Sequence, residues 1–209
     1  MGAPQVKLNL GCGPRTPDGW INVDYAWGAR LARLPFFRAL NRRIRLFDLD
    51  WSERIQLHDL TRRFPWTDAS ADVIYSSHTL EHFSREDGRA FLTECHRVLR
   101  KDGTLRIVVP DLRQNVLAYL EGRVPADDFV ESLGVLHGRT RSRLRNRLAP
   151  FIQFPHKCMY DESRLLQILD EIGFEASARA AFESDIHDIR LVESADRTDD
   201  AVIVEGRKR

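Results

Sequence analysis

Val6-Lys7-Leu8-Asn9-Leu10 runs straight into Gly11-Cys12-Gly13, and a second short apolar run, Ile21-Asn22-Val23, ends in Asp24. An apolar run that stops at glycines reads as a buried strand feeding a tight turn. Glycine has no Cβ and tolerates positive φ, so the backbone there can come close to a ligand. An acid at the tip of the neighbouring strand can accept both hydroxyls of a ribose. In an open parallel sheet the two tips lie side by side, outside the carboxyl ends of the strands, where ligands of such folds bind. The pair points to a cofactor that carries a nucleoside.

Spacing narrows the choice. A dinucleotide fingerprint needs a third glycine three residues after the second, and an acid roughly 20 residues further on. Thr16 stands where that glycine should be, and Asp24 comes too early. The segment from Pro14 to Trp20 holds two prolines and a glycine, which leaves room for one helical turn at most. No Gly-Lys-Ser/Thr follows the glycines, so a phosphate cradle has less support still. What remains is a nucleoside ligand without a pyrophosphate.

These residues resemble the class I S-adenosylmethionine-dependent methyltransferases, in particular the type 11-like group. Leu8-Asn9-Leu10-Gly11-Cys12-Gly13 is similar to the first motif of that family, and Asp24 to its ribose-binding acid. Asp72-Val73-Ile74-Tyr75-Ser76-Ser77-His78-Thr79-Leu80-Glu81-His82 resembles its fourth strand and following loop. Arg97 to Ile107, with Gly103 inside it, resembles its helix, glycine turn and fifth strand. More narrowly, Gly19 to Asp24, His156-Lys157-Cys158-Met159-Tyr160-Asp161 and Val202-Ile203-Val204-Glu205 resemble a bacterial branch of predicted methyltransferases found with polysaccharide or specialised-metabolite pathways. That branch usually carries an aromatic where Cys158 stands. The resemblance implies S-adenosyl-L-methionine as cofactor and S-adenosyl-L-homocysteine as product. It places Leu10, Gly11, Cys12, Gly13, Asp24, Asp59, Leu60, Ser77 and His78 around the cofactor, with Asp59 near the adenine amine and Leu60 on the ring.

Composition agrees with one compact enzyme. The chain has 209 residues, 43% hydrophobic, enough for a single α/β domain with a sizeable core. No apolar run is long enough to cross a bilayer, and a strand so near the start leaves no room for a signal peptide, so a cytoplasmic location with no membrane partner is expected. Cys12, Cys95 and Cys158 are far apart and odd in number, which indicates neither a disulfide framework nor a zinc cluster, and no metal is expected.

Strand and helix signals alternate along the chain, the pattern of a parallel sheet covered on both faces. The fold expected is a Rossmann-like, doubly wound, seven-stranded α/β sheet, mostly parallel, closed by an antiparallel last strand. Residues 29–46 interleave arginines with Leu and Phe as a basic amphipathic insertion that could pack on a second copy in a homodimer. Ile55 to His58 reads as the third strand. Ser84 and Asp87 open a helix with Phe91, Leu92, Cys95, Val98 and Leu99 on one face, stopped by Gly103, and Leu105 to Val109 forms the fifth strand. Residues 112–160 read as a helical cap, with helical patches at Val116 to Leu120 and Phe129 to Leu136 and an Arg-rich run at 139–147. Asp161 or Ser163 starts the next helix and Gly173 ends it. Phe174 to Phe182 and Ala201 to Glu205 are the last two strands.

Methyl transfer from a sulfonium is an in-line displacement, so the protein must chiefly hold the acceptor close to the methyl carbon and aligned with the breaking bond. A hydroxyl acceptor also needs something to take its proton. Candidates lie where strand ends and cap converge: His156, Asp111 and His82. His156 is preferred, because an imidazole can act as a base near neutral pH; its other reading is an anchor tying cap to sheet. His82 reads first as structural, since the resemblance implies that Leu80-Glu81-His82 recurs in methyltransferases with very different acceptors. Asp111 follows Pro110, where it can bind substrate or cap the next helix. The acceptor expected is a small hydroxylated molecule, a sugar or specialised metabolite, methylated on oxygen. Nitrogen or RNA acceptors, and a cofactor-binding module without catalysis, are the alternatives; a net charge of +1 argues against broad nucleic-acid binding. His78-Thr79-Leu80-Glu81-His82 also fits the H-x-x-E-H pattern of inverted zinc peptidases. That chemistry needs both histidines on one helix face, whereas Ser84 starts the helix after the second of them.

Overall fold

The structure is a computed structural model that describes residues 5–34, 36, 43, 51–136 and 154–209. Seven strands form one sheet: β1 (Lys7–Leu10), β2 (Ile21–Asp24), β3 (Gln56–Leu57), β4 (Ala71–Ser77), β5 (Leu99–Pro110), β6 (Phe174–Ala178) and β7 (Ala201–Lys208). Their order across the sheet is β3-β2-β1-β4-β5-β7-β6. The β3 to β5 side is parallel throughout, and β7 runs antiparallel to both β5 and β6. This is the expected Rossmann-like sheet with its reversed last strand. The switch point, where β1 has β2 on one side and β4 on the other, leaves the carboxyl ends of those strands facing one crevice.

The period of two along each central strand sorts its side chains between two cores. Ile74, Ile107, Val109, Val202 and Val204 join Leu8, Leu10 and Val23 in the larger cluster, which α2 (Arg85–Val98) and α5 (Glu162–Ile172) cover with Phe91, Leu92, Cys95, Leu165 and Leu169. Their alternates Val73, Tyr75, Val108 and Ile203 face the other way, against Trp20, Ile186, Ile189 and Val192. The helices start and stop where local chemistry says they should. Ser84 Oγ accepts the Asp87 N–H and donates to its carboxylate, Asp161 accepts the Arg164 N–H at 2.7 Å, and Gly173 ends α5 at φ 114°.

Four boundaries differ from expectation. Gly103 does not stop α2: the helix gives way at Leu99, which already pairs with Ala71, and the positive φ belongs to Asp102. Tertiary pairing of β5 with β4 therefore ends the helix before the glycine is reached. The third strand is reduced to Gln56–Leu57. β6 stops at Ala178 instead of running to Phe182, because Arg179 to Val192 folds back over the sheet and ends in a short 3-10 turn at Ile189–Leu191. β7 continues past Glu205 to Lys208, whose ammonium donates to the carbonyls of His96 and Leu99.

After β5 come α3 (Leu112–Leu120) and α4 (Ala126–Ser132), with Tyr119 stacked on Phe129. A short α1 (Trp27–Leu31) follows β2 and carries Arg30 over the rings of Trp27 and Tyr25. A last helix, α6 (Ala195–Thr198), precedes β7. The Arg-rich run at 139–147 and most of 35–50 lie outside the described residues. No helix among the described residues is long and apolar enough to cross a membrane.

Candidate active site

The carboxyl ends of β1, β2 and β4 open into a cavity of about 890 Å³. That is near the upper end of the range of about 300–1,000 Å³ usual for ligand sites, so a nucleoside-sized molecule leaves space for a second, small one. Gly11, Cys12, Gly13, Asp24, Asp59, Leu60, Ser77 and His78 all line it, as do His82, Phe83, Phe154 and Lys157 at one end. Leu10 does not; its side chain is wholly buried in the core.

Gly11 (φ 72°) turns the chain, and both its N–H and that of Cys12 donate to the Val23 carbonyl. A Cβ on Gly11 would sit 1.9 Å from Thr79 Oγ1, so the close approach it permits is first of all to the loop after β4. A Cβ on Gly13 would meet nothing within 4 Å, and its N–H donates to Asp24 at 2.9 Å. The other Asp24 oxygen accepts from Ala26 N–H at 2.8 Å. The acid is thus fixed by the two backbone turns it joins, and each oxygen keeps a lone pair for a further donor. Burial, with the Asp24 charge adding to it, pushes the Cys12 thiol well above its ordinary range and keeps it protonated. Asp59 accepts from the Thr61 N–H and hydroxyl and pairs with Arg62. Burial pushes its carboxyl up, but these bonds outweigh it and hold it below the usual range.

Several buried polar atoms on the cavity wall have no hydrogen-bond partner among the described residues: Trp51 Nε1, the Tyr75 hydroxyl, Ser77 Oγ and Ser194 Oγ. Burial, the main cause, pushes the Tyr75 phenol up to about 12, so it remains a neutral donor. Orphaned donors and acceptors facing a cavity are what a polar ligand would satisfy.

The three candidate proton acceptors separate. Asp111 caps α3 by accepting the Arg113 N–H at 2.8 Å, bridges to Tyr160 through its backbone, and does not line the cavity. His82 and His156 come together, ring centroids 5.1 Å apart. His82 ends the 3-10 turn Leu80–His82 and faces the cavity, its Nδ1 3.4 Å from the Pro155 carbonyl. Burial lowers its pKa against the pull of Glu81, so the ring is neutral at pH 7. His156 stands just behind, its Nδ1 2.7 Å from the Leu133 carbonyl and its own N–H bonded to Gly134.

Beside the two rings lies Glu81, fully buried, with neither carboxylate oxygen hydrogen-bonded among the described residues. His78 Nδ1 is 3.3 Å and His156 Nε2 4.0 Å from its Oε1. Glu81, His82 and His156 each offer one donor atom within 4.8 Å of the others. The sequence shows Glu81 only as a letter in a motif; its burial comes from Lys157 and Cys158, whose N–H groups bind its backbone carbonyl. His78, in the loop before the turn at φ 50°, turns its Nε2 to the Arg197 carbonyl, so it does not share a helix face with His82 as the peptidase pattern requires.

The methyltransferase domain family matches residues 8–107, the span that carries the glycine turn, Asp24 and the loop after β4. Over those residues the chain carries an S-adenosylmethionine-dependent methyltransferase domain of class I. Among solved structures, the methyltransferase is similar to the YcgJ protein of Bacillus subtilis, at 16% identity, covering 99% of this chain and 93% of that one, with a TM-score of 0.53. An O-methyltransferase family protein from Burkholderia thailandensis shares 13% identity over 98% of this chain and 51% of its own, with a TM-score of 0.50. At such identities the likeness is one of fold. A comparison with curated proteins finds no match. The wall formed by Val192, Ser194, Asp196 and Arg197 is a part of the cavity that the sequence does not announce, because nothing local marks that segment as facing the crevice.

Proposed function

We propose that this methyltransferase acts on oxygen, transferring the methyl group to a small hydroxylated acceptor such as a sugar or specialised metabolite in the cytoplasm. The observation that carries the reading is the buried group at the end of the cavity beyond the glycine turn: two imidazoles beside a carboxylate, next to space left over by a nucleoside. When bound, the cofactor supplies an electrophilic methyl on sulfur; the acceptor oxygen bonds to that carbon as the carbon–sulfur bond breaks, and the hydroxyl proton leaves.

In this reading Gly11, Cys12 and Gly13 form the floor under the cofactor and Asp24 accepts its ribose hydroxyls. Leu60, 6% exposed, gives the adenine an apolar face, and Asp59 and Ser77 stand at its polar edges. Phe83 and Phe154 flank the acceptor end with apolar surface. His82 meets the acceptor first and His156 backs it, so the pair receives the hydroxyl and provides for its proton. Three free cysteines, two of them buried, fit a reducing compartment.

A screen of hydroxylated and amine acceptors, read as S-adenosylhomocysteine formed, tests the proposal. Turnover on sugars or phenols that is lost in His82→Ala supports it. Methylation of nitrogen acceptors alone overturns it.

A further inference from the structure

We propose that Glu81, His82 and His156 form a binding site for one divalent transition-metal ion of the zinc type, at the acceptor end of the cavity. Three observations converge on it. First, the donor set is one carboxylate and two imidazoles, the combination that holds catalytic zinc and mononuclear iron while leaving coordination positions open. Second, the carboxylate is fully buried and its two oxygens take no hydrogen bond among the described residues, the near nitrogens being imidazole atoms, His78 Nδ1 at 3.3 Å and His156 Nε2 at 4.0 Å from Oε1. A charge removed from water without hydrogen bonds is costly and calls for a cation beside it.

Third, the outer contacts of the histidines are those of ligands. The Nδ1 of His156 faces the Leu133 carbonyl and that of His82 faces the Pro155 carbonyl. A carbonyl accepts only from N–H, so each ring carries its proton on Nδ1 and presents a lone pair on Nε2. Metal-bound histidines are oriented in this way by backbone carbonyls. His156 Nε2 is already the atom turned toward Glu81.

The dimensions suit such an ion. Ligand bonds of about 2.0–2.2 Å place two donors of a tetrahedral ion about 3.4 Å apart. The three donors lie within 4.8 Å of one another, and the Glu81–His156 pair is at 4.0 Å. Side-chain rotations of the order of an ångström close the set. Two imidazoles disfavour magnesium and calcium, which take oxygen ligands. Because His82 lines the cavity, an open position of the ion faces the space assigned to the acceptor. The use of the ion rests on the proposed function and replaces the histidines as the aid to proton loss: with both Nε2 lone pairs on the metal, the ion would hold the acceptor oxygen and lower its pKa, and the proton would pass to water. Its binding does not rest on that reading.

The test uses the whole chain, stripped with a chelator and titrated with Co²⁺, whose visible absorption reports coordination. One equivalent with a ligand-field band is expected for the wild type. Glu81→Gln, His82→Gln and His156→Gln should each weaken uptake about tenfold or more, while S-adenosylhomocysteine binding, followed by calorimetry on the same samples, stays within a few-fold and shows that each variant is folded. Zn²⁺ should displace the cobalt. No stoichiometric uptake, or uptake unaffected by all three substitutions, overturns the site and leaves Glu81 as the counter-charge of a protonated histidine. Cobalt binding in a protein that ignores S-adenosylhomocysteine would instead contradict the cofactor assignment and leave the metal site standing.

Discussion

Arg106→Met should be the most destabilising single change outside the site. Arg106 is fully buried on β5 and spends all five of its N–H donors: two on Glu193 at 2.9 and 3.0 Å, one on Glu205 at 3.1 Å, and one each on the carbonyls of Glu183 and Ala180 at 2.8 and 3.0 Å. Glu193 and Glu205 are themselves buried and keep only neutral donors once the guanidinium is gone, namely Phe182 N–H for the first, and Ser184 O–H and Asp185 N–H for the second. Methionine matches the length but leaves two carboxylates uncompensated, a loss of about 3–5 kcal/mol for a broken buried ion pair. At about 2–4 °C per kcal/mol for a chain of this size, Tm should fall by roughly 6–20 °C, read by circular dichroism and checked against chemical unfolding. Arg106→Met combined with Glu193→Gln and Glu205→Gln should recover a substantial part of the loss. A single variant within 2 °C of wild type by the same scale, or a triple variant no better than the single, would refute the argument that the charge balance holds this face together.

Gly11→Ala should raise the Kd for S-adenosylhomocysteine tenfold or more by calorimetry, since φ of 72° and a Cβ 1.9 Å from Thr79 Oγ1 force the turn to move; unchanged affinity would show that the turn is not part of the site. Asp24→Ala should weaken the same ligand by about 1–3 kcal/mol, the scale of a lost hydrogen-bonded charge, or roughly 5- to 150-fold, and equal affinity would remove Asp24 from the ribose assignment. The hydrogen bonds from Arg97 hold the Glu94 carboxyl below its ordinary 4.5. A depressed carboxyl contributes stability above the unfolded value and loses it as pH falls through the lower folded value, so Glu94→Gln should flatten the acid limb of the pH–stability curve below about 4.5; a limb as steep as wild type would argue that other acids control it.

What could be read from the sequence was local. A run of apolar residues ending at Gly11, Ser84 beside Asp87, Asp161 before an amphipathic helix and Gly173 after it each contain their own structural instruction, and each appears where expected. The glycine turn and Asp24 were legible for the same reason, being two strand tips read in order. The misses share another cause: they are decided by segments far away in the chain. Gly103 looks like a helix stop, but β4 claims Leu99 first. Arg106 stands between Leu105 and Ile107 as an odd cation in an apolar strand, and only the distant Glu193 and Glu205 explain it. Glu81 reads as a polar loop residue until Lys157 and Cys158 close over its backbone. Position 139–147, the most conspicuous charge cluster of the sequence, lies outside the described residues.

The placement of β7 has a consequence for how the chain is made. The strand is inserted between β5 and β6, pairing Ile107 with Val204 and Ala176 with Gly206, so two strand edges stay open until residues 201–208 have emerged from the ribosome. Pairings so distant in sequence form late, because the intervening loop must be closed first. Until then the second core, which carries the cavity wall at Val192, lacks Ile203, and Arg106 lacks Glu205. The glycine turn and its acid are therefore in place before the far wall of the cavity, which closes only when β7 slides in between β5 and the edge strand β6.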